Sequence, residues 1–146
     1  MLECDLFYQR DLIDTVLDGE GEASILVSKY NPDIMDGTVI ETDVGTHAKM
    51  LYINKHQGAD FDFSDKYKTV NVYKFTEEFL VKKFMPAIEI YINAESVNSY
   101  YELVLGSLIY TGNSDIHIVE IDESRWCEID DAEDLKRAKE KFGGNV

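Results

Sequence analysis

Thr69-Val70-Asn71-Val72-Tyr73-Lys74-Phe75 alternates in polarity, is rich in β-forming residues, and runs directly into Thr76-Glu77-Glu78. The first seven residues have the period of a strand. A threonine followed by two acids is an N-cap with a negatively charged first turn. A strand therefore hands over to a helix, which we expect to run toward Glu95 and to bend or break at Pro86. The same alternation extends in both directions. Downstream, the spacing predicts a helix from Ser99 to Tyr110 with Tyr101, Val104, Leu105 and Leu108 on one face. Ile116–Ile121 then reads as a strand and Arg125–Ile129 as extended chain, and Ala132–Phe142 is a charged helix with the stripe Leu135, Ala138 and Phe142. Upstream, Gly37–Thr42 and Ala48–Ile53 read as a hairpin joined by Asp43-Val44-Gly45-Thr46, and Ala23–Ser28 as a short apolar strand. Gln9–Leu17 fits a helix, and Met1–Phe7 a strand that begins at once. Strands alternating with helices, with one hairpin between them, predict an α/β fold whose sheet is mostly parallel with an antiparallel insertion.

The chain has 146 residues, a length for one domain at ~100–200 residues per domain. Fourteen Lys and Arg stand against 29 Asp and Glu, a net charge of −15, while 45% of residues are hydrophobic. That apolar content closes a core despite the charge, and the negative balance argues against a nucleic-acid binder. No run approaches the ~20 apolar residues of a membrane span and no signal segment opens the chain, so we expect a soluble, cytoplasmic domain. Cys4 and Cys127 are the only cysteines and lack metal-type spacing; a disulfide and two buried strand cysteines are both open readings. His47, His56 and His117 are scattered, without the pairing of a zinc site, and are assigned no role.

Two places can carry chemistry. Asp5 ends the opening strand just before a helix, the edge where open α/β sheets gather ligands; it serves equally as a turn residue. The second is Arg125-Trp126-Cys127-Glu128-Ile129-Asp130-Asp131-Ala132-Glu133-Asp134-Leu135, where Asp130 or Asp131 caps the last helix with Glu133 or Asp134 as partner. Alternation puts Glu128 and Asp130 on one face, so capping and metal binding are compatible.

Leu2-Glu3-Cys4-Asp5-Leu6-Phe7 is similar to the E-G-D-x-x-F strand of the sugar-type nucleotidyltransferases, and Trp126 to Leu135 resembles their W-x-E-I-D-(x3)-D-L segment. Met35-Asp36-Gly37-Thr38-Val39, Tyr67–Phe75 and Tyr100-Tyr101-Glu102 fall between them in the expected order. Together they resemble the phosphocholine and aminoalkylphosphonate cytidylyltransferase branch, some members of which are fused to a PLP-dependent aminotransferase. The resemblance implies a partial nucleotide-diphospho-sugar transferase fold, Rossmann-like. It also implies attack of an acceptor phosphate or phosphonate on the α-phosphorus of CTP, bridged by Mg²⁺. Asp5 and Asp130 match the metal-ligand positions, with Glu128 assisting directly or through water. Tyr100, Tyr101 and Glu102 match a segment near the acceptor pocket, where aromatic faces and a carboxylate suit an amine or quaternary ammonium head group; packing of a helix face explains them equally. Asp36 is a candidate cation contact or a turn residue. Lys68 is a candidate phosphate contact or a solvated lysine on a strand edge. No residue is assigned to catalysis itself.

The family's glycine-rich nucleotide loop precedes the metal-aspartate strand, and these 146 residues contain no such segment; Cys4 stands where the family has glycine. We therefore expect the metal and acceptor portion of a nucleotidyltransferase, inactive alone, with an apolar sheet edge that drives a homodimer or strand-exchanged assembly. The competing expectation is a non-catalytic acidic interaction domain that keeps the fold.

Overall fold

The computed structural model describes residues 1–94, 97–98 and 100–143. In chain order the strands are Leu6–Tyr8 (β1), Ala23–Lys29 (β2), Thr38–Thr42 (β3), Ala48–Ile53 (β4), Tyr67–Phe75 (β5), Ile116–Glu120 (β6) and Trp126–Glu128 (β7). The helices are Leu12–Leu17 (α1), Glu77–Phe79 (α2), Met85–Ala94 (α3), Glu102–Tyr110 (α4) and Ala132–Phe142 (α5), with a π-helical stretch at Leu80–Phe84 between α2 and α3. The expected ends at Glu95 and Ser99 lie outside the described residues.

Ala23–Ser28 is buried throughout, as its continuous apolar character requires, and β2 lies inside a five-stranded sheet of order β4-β3-β5-β2-β6. The core divides across that sheet. Ile25, Val27 and Ile40 face α2–α4 through Phe79, Phe84, Val104 and Leu105. Leu26, Val70 and Val72 face the other way, onto Leu12 and Val16 of α1 and onto Trp126. The α/β class holds. The balance of directions differs from expectation: β2–β6 is parallel, whereas β2–β5, β3–β4 and β3–β5 are antiparallel. The reason lies in the connections. A short loop folds β4 back onto β3, β5 then inserts between β3 and β2 antiparallel to both, and the excursion through α2–α4 carries the chain to the free side of β2, where β6 runs parallel to it.

Local chemistry set several boundaries. Thr76 caps α2 by accepting the Phe79 N–H at 3.2 Å. Asp131 and Asp134 form a reciprocal capping box on α5, one of the pairings expected. Pro86 does not break the helix. The chain widens into the π stretch just before it, which accommodates a ring lacking an N–H.

The opening residues depart most from expectation. Met1 and Tyr73 exchange two hydrogen bonds (2.7 and 2.9 Å), and Leu2 bridges Val72, so the first residues lie antiparallel along β5. The chain then turns and β1 pairs with β7 in a separate two-stranded sheet. This segment covers β5 where a bare apolar edge was expected. Exposed apolar side chains instead gather at Val81, Met85, Ile90 and Ile92 on the π stretch and α3. Both cysteines are free, with Cys4 exposed rather than in a buried strand. Among the described residues no helix is long and apolar enough to cross a membrane.

Candidate functional site

Strand β7 carries the end of the chain back to its beginning. Leu6 faces Glu128 in register, and the Ile129 N–H donates to the Asp5 carbonyl at 2.8 Å. Asp5 and Asp130, at opposite ends of the polypeptide, become neighbours through this pairing.

Lys68 lies beside them. Its side chain is 2% exposed, so it is not the solvated edge lysine that a strand end suggests; its ammonium group sits 3.3 Å from Glu128 Oε2. Gly37 makes room for it. The backbone there has φ +88°, and a Cβ would come within 3.1 Å of the lysine nitrogen.

Two cavities flank this ion pair. The larger, about 700 Å³, is lined by Asp36, Lys68, Trp126, Glu128, Asp130, Asp134 and Arg137 among others. The smaller, about 240 Å³, is lined by Glu3, Gly37, Thr38, Lys68, Asn71, Tyr100, Tyr101, Glu102 and Glu128. Lys68 and Glu128 belong to both. Around the larger cavity seven Asp and Glu side chains outnumber three Lys and Arg, so a polyanion needs a cation with it.

Electrostatics mark the same residues. Burial raises the Glu128 carboxyl above the usual glutamate range against the pull of Lys68, and the charges of Asp130 and Asp5 add to it. Asp130 is raised by burial and then by Asp5, Asp134 and Asp36. Glu102 is 4% exposed and raised by burial, with the charge of Glu3 adding and Lys68 and a Thr38 hydrogen bond opposing. Asp5 Oδ1 is buried without a hydrogen-bond partner. A buried carboxylate oxygen left without a hydrogen-bond partner is the type of ligand that a hard divalent cation takes. The Asp5, Glu128 and Asp130 oxygens do not, as a trio, close within 4.8 Å; among the described residues only His47, Asp115 and His117 do.

The expected head-group residues divide. Tyr100 is 37% exposed, and the Lys55 ammonium already rests 4.5 Å from its ring centre, so this face takes a cation. Tyr101 instead donates its hydroxyl to Glu3 Oε1 at 2.6 Å and meets Tyr73 edge-on.

Sequence reading missed the residue that organises the site. Asn71 has φ +59° inside β5, where the register with β2 slips between Ile25 and Val27. The bulge re-aims its amide, which donates to Glu3 Oε2 at 2.8 Å and to Glu128 Oε1 at 2.9 Å. Asparagine tolerates this left-handed backbone better than other side chains, which is the one signal available in the sequence.

No family model matches the chain. Along 142 residues it is 25% identical to CMP-5'-(3-aminopropyl)phosphonate synthase of Streptomyces rubellomurinus (strain ATCC 31215), covering 97% of this chain and 22% of that protein. Among solved structures it resembles the CTP:phosphocholine cytidylyltransferase of Streptococcus pneumoniae, with TM-score 0.70, 12% identity, and 97% and 56% of the two chains covered. The fold is that of the sugar-type nucleotidyltransferases. The inositol-1-phosphate CTP transferase from T. maritima matches with TM-score 0.61 and 16% identity, covering 96% of this chain and 52% of that one. The chain spans about a fifth of the curated relative and about half of these solved nucleotidyltransferases.

Proposed function

We propose that this chain forms the metal and acceptor part of a cytidylyltransferase that moves CMP from CTP to a phosphocholine- or aminophosphonate-type acceptor. The observation that carries the reading is Lys68, a buried cation shared by two cavities of different character. The acceptor's phosphate or phosphonate would lie at Lys68, and its amine would enter the smaller cavity among Tyr100, Tyr101 and Glu102. Asp5 and Asp130 would hold Mg²⁺, with Glu128 assisting and Asp36 on the rim. Bound there, the cation supplies charge neutralisation for the phosphates. In the reaction an acceptor oxygen bonds to the α-phosphorus of CTP, the bond to the β-phosphate oxygen breaks, and pyrophosphate leaves. The chain's own part is to orient the acceptor oxygen and hold its charge.

Nucleotide binding through a glycine-rich loop is a property we assign to the complete transferase. Self-association with a second copy, through the apolar surface at Val81, Met85, Ile90 and Ile92, is part of the same proposal; a clean monomer in concentrated sedimentation runs would overturn it.

Calorimetric titration with phosphocholine and with 2-aminoethylphosphonate tests the acceptor site, run with Mg²⁺ and with chelator. Binding that requires Mg²⁺ and disappears in Asp130→Asn is expected. Absence of binding under every condition would leave the non-catalytic interaction domain as the better reading.

A further inference from the structure

The hairpin tip and the start of β6 bring together three side chains to which sequence reading gave no role. His47 precedes β4 and His117 lies in β6, at opposite edges of the five-stranded sheet, yet the two residues form an antiparallel bridge. The Ile118 N–H donates to the Thr46 carbonyl at 2.8 Å and secures the contact. The imidazole rings stand 4.1 Å apart between centres. One oxygen, Asp115 Oδ1, faces both: it is 2.9 Å from His117 Nε2 and 3.4 Å from His47 Nε2.

We propose that His47, Asp115 and His117 bind a divalent transition metal of the zinc type. The donor atoms lie within 4.8 Å of one another. A tetrahedral ion with bonds of about 2.0–2.1 Å sets its ligands about 3.3 Å apart, and the two separations from Asp115 Oδ1, 2.9 and 3.4 Å, lie within a few tenths of an ångström of that spacing. Two imidazoles and one carboxylate select zinc, nickel or cobalt over magnesium, which takes oxygen ligands.

The surroundings suit such a site. His117 Nδ1 is 2.9 Å from Thr46 Oγ1, a second contact that fixes the ring and reserves Nε2 for the metal. Gly21, at φ +75°, lets the backbone approach this ring closely, since a Cβ there would meet His117 Cδ2 at 2.6 Å. The His117 side chain is 8% exposed, while His47 and Asp115 are 59% and 53% exposed, leaving an entry path and a coordination position for water. The bound ion would staple the two sheet edges. Register separates it from the acceptor site: on β2, His117 faces Ser24 and Lys68 faces Ser28, about 13 Å along the strand.

Cobalt(II) is the probe, because a tetrahedral site gives it strong visible absorption that the aqueous ion lacks. The chelator-treated full chain is titrated with Co²⁺ and then with Zn²⁺. We expect one equivalent of strongly absorbing Co²⁺, displaced by Zn²⁺, in the parent chain and equally in Asp130→Asn and His56→Gln. His47→Gln, which alters an exposed side chain and keeps the core, should lose it, and Asp115→Asn should weaken it. The same Zn²⁺ should raise Tm by several degrees in the parent and leave His47→Gln unmoved. An unchanged spectrum in His47→Gln, loss in Asp130→Asn, or absorption no stronger than that of aqueous Co²⁺ would overturn the assignment.

Discussion

Lys68 and Glu128 form a 3.3 Å ion pair that is also the wall between two cavities. A buried ammonium and a half-buried carboxylate hold each other in place, and removing either leaves the other without its counter-charge. Lys68→Met and Glu128→Leu should each destabilise the fold by on the order of 3 kcal/mol. The double variant Lys68→Met/Glu128→Leu should recover most of that loss while abolishing acceptor binding. Denaturant titration of the three variants supplies the cycle; additive losses would show that the pair is not coupled.

Acid should act on this protein in two opposite ways. Glu41 is held down to about 2, chiefly by its hydrogen bond to Lys49 and then by Lys66 and Tyr52, against an ordinary value of 4.5. Its depressed folded value means that stability is fully present above about 4.5 and is lost as pH falls toward about 2. Glu41→Gln should therefore flatten the acid limb of the stability profile and change little below it.

Glu102 has the reverse sign. Its folded value is raised by burial, so ionising it costs stability at neutral pH, and that cost disappears as pH falls toward 4.5. Glu102→Gln should raise Tm at neutral pH, with the gain fading in acid. A pH series of melting curves on both variants checks each sign; a parallel offset at all pH values would contradict both.

The fold was legible where a residue's role depends on its near neighbours. Thr76 and Asp131 announce their caps, Asp43-Val44-Gly45-Thr46 announces a hairpin, and the apolar run from Ala23 announces a buried strand. Strand direction was not legible, because it depends on connections rather than on the strands. The candidate site was legible in its acids, since Asp5, Glu128 and Asp130 sit in recognisable motifs. Asn71 and the His47–His117 contact were not. One depends on a bulge inside a strand of regular alternation, the other on two sheet edges 70 residues apart meeting at one point.

Asn71 links Glu3 to Glu128 through one amide, and its positive φ is part of that geometry. Asn71→Gly keeps the backbone but removes the donor, so it should fold and bind acceptor poorly. Asn71→Ala adds the cost of a left-handed backbone, about 1–2 kcal/mol, and should be the less stable of the two. Asn71→Asp puts a carboxylate against two others and should raise Glu128 further, moving the acceptor-binding profile to higher pH. Thermal melts and binding titrations separate the effects; equal stability of the Gly and Ala variants would remove backbone strain from the account.

Asp5 offers the sharpest separation of stability from metal binding. Its Oδ1 is buried without a partner, and its charge pushes both Glu128 and Asp130 upward. In the absence of divalent metal, Asp5→Asn replaces a repelling charge with a neutral amide of the same shape, so the chain should be as stable as the parent or more so. With Mg²⁺ the order should reverse: the parent gains stability by mass action and the variant does not. Mn²⁺ gives an independent readout, because its paramagnetism broadens nuclear resonances near the ion. Broadening should centre on residues 4–6 and 128–131 in the parent and vanish there in Asp5→Asn. Broadening confined to the His47–His117 region in both chains would mean that the opening and closing acids do not share an ion.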